Sequence, residues 1–166
     1  MGLFRRDRVR RTDRGTYRVR LPGPERELLL SLAGQHQELL AETTDDPTVR
    51  RLFPTAYNED PERDREYQQL VRDELLEARL AALATVEATL EADELDEAEL
   101  GAWLRALNDL RLVLGTRLDV SEDRPDIDAD DPEAPAYAVY EYLGFLLGEV
   151  VDALEEGLPD VPDDPA

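Results

Sequence analysis

The chain has 166 residues, a length that suits one domain with one hydrophobic core. Its 40 acidic residues outnumber 19 basic residues, all of which are arginine, and it contains no cysteine. A disulfide framework, a thiolate metal site and a thiol nucleophile are therefore excluded, and the absence of lysine excludes Schiff-base chemistry.

Charge is divided unevenly along the chain. The first twenty residues contain eight arginines against Asp7 and Asp13, a net charge of +6, whereas the rest contains 11 arginines against 38 acidic residues, a net charge of −27. A negative body of this kind repels nucleic acid and anionic lipid at long range. Because salt screens charges beyond about 8–10 Å, a basic segment displayed away from that body can still bind phosphate.

Residues 1–15 are therefore predicted to form an arginine-rich flexible arm. A solvating or structural tail is the favoured interpretation, and two others stay open, contact with nucleic acid and contact with an acidic protein. The candidate nucleic-acid-binding residues are Arg5, Arg6, Arg8, Arg10, Arg11 and Arg14.

Residues 16–21 alternate between polar and apolar side chains, with Tyr17, Val19 and Leu21 on one side. This period of two predicts a half-buried strand. Since a lone strand needs a partner, we expect it to pack on the helices or to pair with a second chain. Pro22-Gly23-Pro24 ends the strand and starts a first helix, whose leucine stripe extends to about residue 41.

The sequence next predicts a short helical turn near residues 47–54, followed by three further helices. Asp60-Pro61 starts the second helix, and its apolar stripe includes Tyr67 and Leu75. A capping box of Asp96 and Glu99 starts the third, which is apolar nearly all round near its middle. The fourth begins at residues 131–132 and extends to about residue 156.

The predicted fold is all-α, a helical bundle of four main helices with a short helical turn and a minor N-terminal β-strand. Residues 16–156 form the single domain, with an acidic linker at residues 119–133, and residues 157–166 form a disordered acidic tail. The third and fourth helices carry more apolar surface than one layer needs, so we expect a homodimer.

The side chains that most catalytic sites require are scarce. His36 is the only histidine and lies about 140° around the predicted helix from Ser31, so the two do not form a catalytic pair. A di-metal Glu-x-x-His motif is missing, and the acidic run from Asp126 lacks the glycine and glutamate of a calcium loop. We therefore expect a polar histidine on an amphipathic helix, and no enzyme activity, metal, cofactor or small-molecule substrate.

Two arginines of the third helix are candidates for a different role. Arg111 lies within about 60° of the apolar stripe, so it should be partly buried beside a carboxylate of Asp73, Glu77 or Glu141. The alternatives are a structural ion pair and anion recognition at an interface. The candidate residues are Arg111, Arg117, Leu112 and Val113.

The sequence also predicts where in the cell the protein is found. The N-terminal charges are not followed by an apolar run, and 18 consecutive apolar residues occur nowhere. We therefore expect neither a secretory signal nor a membrane partner, and a cytoplasmic protein.

Two stretches resemble a known family. Residues 51–57 read Arg-Leu-Phe-Pro-Thr-Ala-Tyr and lead into Asp60-Pro61-Glu62, and residues 103–118 read Trp-Leu-Arg-Ala-Leu-Asn-Asp-Leu-Arg-Leu-Val-Leu-Gly-Thr-Arg-Leu. With the strand at residues 17–21, they resemble an actinobacterial domain-of-unknown-function family typified by an oxidative-stress transcriptional regulator, AosR. The resemblance covers most of residues 15–156.

The resemblance implies a cytoplasmic, helical, non-enzymatic regulator. It also implies a redox-sensitive disulfide, a sigma factor or RNA polymerase component as partner, and promoter DNA. This chain departs from that pattern because it has no cysteine and cannot form the disulfide. Since members are commonly encoded near the protease adaptor ClpS, the alternative is an interaction adaptor linked to Clp proteolysis with no nucleic-acid role.

Overall fold

The computed structural model describes residues 8–42, 59–120 and 128–159, without the side chains of residues 42, 68–70, 72 and 73. These ranges are mainly helical and include a small antiparallel sheet. The elements in chain order are β1 (Val9–Arg11), β2 (Tyr17–Val19), α1 (Gly23–Glu42), α2 (Pro61–Thr89), β3 (Glu94–Leu95), α3 (Glu97–Arg117) and α4 (Ala134–Glu156).

Helix α3 is the centre of the bundle, because it packs along both α2 and α4. Trp103 of α3 is fully buried, and its indole Nε1 donates a 2.8 Å hydrogen bond to Oγ1 of Thr89. That hydroxyl in turn donates to the backbone carbonyl of Thr85 at 2.6 Å. The only polar group of the largest core side chain is therefore satisfied, as burial of an indole requires.

Three predicted helix starts are confirmed and one is displaced. Helix α1 begins at Gly23, within the predicted Pro22-Gly23-Pro24. The side chains of Asp60 and Asp96 accept hydrogen bonds from the backbone amides three residues later, and Asp96 forms the complete capping box with Glu99. Helix α4 begins at residue 134 rather than residue 132. The cause is local, because the Asp131 side chain accepts a 2.8 Å hydrogen bond from the Glu133 amide and extends the preceding turn.

The sheet is larger than the single predicted strand. Strand β2 is central, with β1 on one side and β3 on the other, in the order β1-β2-β3. Val9 lies opposite Val19, and Tyr17 lies opposite Leu95, and all four are buried. The predicted strand therefore finds its partners within its own chain. A second chain is not needed for them.

Residues 8–15 also differ from the predicted flexible arm. They form β1 and a turn, in which Thr12 N donates to Thr16 O at 2.8 Å and Gly15 has φ +80°, a conformation that favours glycine. The strand forms because Val9 packs in the core. The sequence did not indicate this contact, because arginines surround Val9 in the chain. Arg5 and Arg6 lie outside the described residues, as do the short turn at residues 47–54, residues 121–127 of the predicted linker and residues 160–166 of the predicted tail.

The N-terminal half of α2 is more exposed than its apolar stripe predicts. Tyr67 and Leu75 each retain 37% exposure, whereas Ala82, Leu83 and Val86 of the second half are buried. The difference follows from length, since 29 residues span about 44 Å and the 21 residues of α3 span about 32 Å. Within residues 8–42, 59–120 and 128–159, none of the helices has the length and apolar content needed to cross a bilayer.

Candidate nucleic-acid interface

The hairpin of β1 and β2 displays arginines on the side that faces away from the core. Arg10 lies directly opposite Arg18, and both side chains are exposed. Arg20 lies on the same side of the sheet. Arg11 lies opposite the buried Tyr17, so its side chain starts from the other side, but it also lines the open cleft of about 380 Å³ that these arginines share with Asp13. We call these four residues the arginine face. Like charges directly opposite one another on a sheet are destabilising, and Glu94, 3.6 Å from Arg18, offsets part of this repulsion.

Arg8 does not belong to the arginine face. Its Nε and Nη2 donate hydrogen bonds of 3.1 Å and 3.0 Å to the carboxylate of Glu25, and its side chain is 19% exposed. These hydrogen bonds raise the pKa of the Arg8 guanidinium above its usual value. Two guanidinium donors of Arg8 are therefore used inside the protein, which does not favour the predicted contact of Arg8 with nucleic acid.

The Glu25 carboxylate also accepts a 2.8 Å hydrogen bond from the hydroxyl of Tyr142 on α4. Burial and this hydrogen bond raise the pKa of the Tyr142 phenol. Beside this contact, the backbone amides of Arg8 and Val9 donate to one carboxylate oxygen of Glu149, at 3.1 Å and 3.4 Å. The start of the hairpin is thus attached to α1 and α4 by two carboxylates that lie far from it in sequence.

Arg14 occupies the turn of the hairpin and pairs with Glu94 on β3 at 2.7 Å. Its side chain remains 73% exposed, so this ion pair is weak in water. Glu94 also lies 3.6 Å from Arg18 and accepts a hydrogen bond from Thr16. Glu94 therefore borders the arginine face and neutralises part of its charge.

Arg111 was predicted to contact a carboxylate, and the partner that the structure describes for it is an aromatic ring. Its guanidinium carbon lies 4.7 Å from the centre of the Tyr140 ring, a cation–π contact. Two glycines make room for this stack. A Cβ at Gly144 would lie 3.2 Å from Nε of Arg111, and one at Gly115 would lie 3.0 Å from the Tyr140 ring.

The other three candidate residues of α3, which were predicted together with Arg111, take different positions. Val113 is buried in the core, which does not favour its predicted role at an interface, and Leu112 is half-buried against the same core. Arg117 is exposed in the last turn of α3.

Two buried polar residues, Asp109 and His36, were not predicted from the sequence. Asp109 of α3 is 5% exposed and accepts a 2.5 Å hydrogen bond from Arg79 of α2. Burial raises the pKa of the Asp109 carboxyl, and the Arg79 guanidinium opposes that change. His36 of α1 is 4% exposed, and burial with the positive charges of Arg79 and Arg117 lowers its pKa to about 4. His36 is therefore a neutral core residue of α1.

The comparisons with known proteins agree with the resemblance noted in the sequence. Residues 3–154 match the model of a domain of unknown function, DUF2017. The chain belongs to this family. None of the solved structures gives a significant match. Among the described residues, no three histidine or acidic side chains cluster as a metal site would.

Several mycobacterial members of the DUF2017 family are related to this chain. A Mycobacterium leprae protein, provisionally named oxidative stress regulator AosR, is 33% identical over 132 residues, which is 69% of this chain. Proteins of Mycobacterium bovis and Mycobacterium tuberculosis named oxidative stress regulator AosR are 29% identical over 143 residues, which is 75% of this chain. The matches span 61% and 64% of these relatives, less than two thirds of their length. The relatives are named as regulators and not as enzymes.

The buried position of His36 in this DUF2017 member predicts a pH-dependent stability. The unfolded chain binds a proton near pH 6.5 and the folded chain only near pH 4, so stability is greatest above pH 6.5 and falls as the pH drops towards 4. We expect His36→Gln to remove this slope. Between pH 7.5 and 5.0, the wild-type free energy of unfolding in urea should fall by about 2 kcal/mol more than that of the variant.

The carboxylates titrate in both proteins, so they cancel in this difference. Curves of wild type and His36→Gln that run parallel from pH 7.5 to 5.0 would show that His36 is protonated equally easily in the folded and unfolded states.

Proposed function

We propose that this chain is a non-enzymatic regulator of the AosR-like kind, which works in the cytoplasm through protein contacts and through binding of DNA by the arginine face. The observation that carries this proposal is the placement of Arg10, Arg11, Arg18 and Arg20 around one open cleft, on a chain of net charge −21. A two-stranded antiparallel ribbon fits the major groove of DNA, and arginine is the side chain best suited to phosphate and guanine.

The negative charge of the rest of the chain limits the distance over which the arginine face can attract DNA. At physiological salt the repulsion between the body and DNA is screened beyond about 8 Å, so the hairpin must touch the phosphates before attraction exceeds repulsion. Binding is therefore expected to be weak, and its affinity should depend steeply on salt. A partner such as a sigma factor or another RNA polymerase component would hold the protein near the promoter and supplement this weak contact.

The first test is a DNA titration at several salt concentrations. The probe is a fluorescently labelled mixed-sequence duplex of about two helical turns. In the triple variant Arg10→Gln, Arg18→Gln and Arg20→Gln, we expect the slope of log affinity against log salt to lose about 2.7 of its magnitude, since each phosphate contact contributes about 0.9.

The matched control replaces three exposed arginines outside the hairpin, in the variant Arg63→Gln, Arg65→Gln and Arg105→Gln. It changes the net charge by the same amount and should keep the wild-type slope. Equal losses in the two variants, or no DNA binding by the wild type, would contradict the proposed nucleic-acid role. Recovery of Clp proteolytic components with a wild type that does not bind DNA would favour the adaptor alternative.

We further propose that α4 is the interface of a homodimer. Beyond its buried stripe, α4 carries a second apolar stripe of Tyr140, Leu147 and Val151. This surface is a shallow groove of about 610 Å³. Gly148, beside which nothing lies within 4 Å of a Cβ position, is the point at which a second helix can approach closely, whereas Gly144 is covered by Arg111. Arg111, Glu141 and Asp152 stand around the groove and can pair across a two-fold axis.

Light scattering at micromolar concentration tests this interface. We expect the wild type to have twice the chain mass of 18.8 kDa and Val151→Glu to have the single mass, because a charge on the stripe is desolvated on both sides of the axis. Leu30→Glu is the control, since Leu30 is an exposed leucine on α1, and it should leave the dimer intact. A monomeric wild type would refute the interface.

A further inference from the structure

The groove along α4 carries one positive and one negative side chain that form no ion pair with each other or with their own chain. Arg111 of α3 and Asp152 of α4 both line it. Among the described residues, the ion pairs include neither of these two. A guanidinium and a carboxylate that stand unpaired on one surface are complementary to each other. A second copy of the same surface therefore supplies a partner for both.

The Arg111 guanidinium has a fixed place in this groove. It stacks on the Tyr140 ring and covers Gly144, where a Cβ would lie 3.2 Å from Nε of the arginine. That Nε is buried and has no hydrogen-bond partner among the described residues, so the aromatic ring orients the side chain. An arginine that is already oriented loses less conformational entropy when it binds a carboxylate.

Asp152 lies too far along α4 to pair with Arg111 of its own chain. It is exposed and follows Gly144 by eight residues, which is about 12 Å along the helix. Gly148 lies midway between them and is also exposed. The three positions 144, 148 and 152 form one i, i+4 row, the row that packs against a second helix in the commonest class of helix packing.

A two-fold axis at Gly148 brings the two charges together. If the axis is perpendicular to α4, the two copies of the helix are antiparallel, and a residue four positions before Gly148 lies opposite the residue four positions after it. Gly144, with Arg111 above it, then lies opposite Asp152 of the partner subunit, and symmetry forms the same contact twice. An axis parallel to α4 would instead place the two Asp152 side chains beside each other, which is unfavourable.

We propose that two copies of this chain pair antiparallel along α4, with the two-fold axis at Gly148 and the Arg111 guanidinium of each protomer bound to Asp152 of the partner subunit. The proposal rests on the homodimer proposed for this groove, and it adds the register of the two helices and the residue that each partner contributes. Gly148 is the crossing point because an exposed backbone without a side chain permits the closest approach.

The neighbouring side chains of the groove agree with this axis. Phe145 and Val151 lie three positions before and after Gly148, so the two half-buried apolar side chains meet across the axis. Glu141 and Glu155 lie seven positions before and after it and would repel each other. Helices that cross at about −50° diverge more from the crossing point than helices that cross at about +20°, so the steeper class separates these acids and is the one we expect.

Charge reversal on two separate chains tests the pairing. Arg111→Glu and Asp152→Arg each place like charges at both contacts of a homodimer. In sedimentation velocity at micromolar concentration, we expect each variant alone to dimerise at least tenfold more weakly than the wild type. A heterodimer of the two variants has opposite charges at both contacts. An equimolar mixture should therefore form a heterodimer with an affinity close to that of the wild-type dimer.

Glu141→Arg is the matched control, because Glu141 is an exposed acid of the same groove on the same side of Gly148 as Arg111. Alone it should dimerise at least as tightly as the wild type. Mixed with Arg111→Glu, it should not recruit that variant, since one contact would still hold two negative charges.

The outcomes separate this pairing from the homodimer itself. A dimeric wild type whose Asp152→Arg variant dimerises equally well, or whose two reversed variants do not associate on mixing, would overturn the pairing alone. A monomeric wild type would overturn the homodimer as well. Circular dichroism checks the fold of Arg111→Glu, which loses its stack on Tyr140. If that variant is unfolded, Asp152→Arg at its exposed position decides the outcome by itself.

Discussion

The carboxylate of Glu25 is the contact on which the arrangement of the N-terminal segment depends. It accepts two hydrogen bonds from the Arg8 guanidinium and one from the Tyr142 hydroxyl, so it connects the hairpin, α1 and α4. Arg8 and Glu25 side chains are each 19% exposed, and hydrogen bonds between charged groups in such partly buried positions are stronger than surface ion pairs. A segment rich in positive charge is thereby held against the protein.

This attachment determines which arginines can meet a partner. With Arg8 directed to Glu25 and Val9, Tyr17 and Val19 in the core, the strand alternation leaves Arg10 and Arg18 on the opposite side. The positive charge of the N-terminal region is therefore presented from a sheet. A rigid display loses less conformational entropy on binding than a flexible arm, which favours the contact despite the negative charge of the body.

The sequence alone was enough to predict those features that depend on residues close together in the chain. The capping box at Asp96 and Glu99 and the end of α4 near residue 156 follow from local spacing, and the structure confirms them. Membership of the family was also recognisable from contiguous stretches. Each of these features rests on residues within one helix or turn.

The features that sequence reasoning missed depend on distant partners. Arg8 pairs with a residue 17 positions away, and its backbone amide bonds with Glu149, 141 positions away. Strand β3 has two residues, too few for a period to appear. Likewise, the burial of Asp109 results from the crossing of α2 over α3, and a charged residue on a helix is ordinarily assigned to the surface.

Amide hydrogen exchange of the hairpin tests the central contact most directly. Thr12, Val19 and Arg20 donate backbone hydrogen bonds to Thr16, Asp93 and Arg8. In the wild type we expect exchange at these three amides to be slowed by roughly two orders of magnitude or more. In Glu25→Ala it should accelerate roughly tenfold, while amides in the core of α3 keep their protection. Exchange at unstructured rates in the wild type, or equal protection in both proteins, would contradict the role of Glu25.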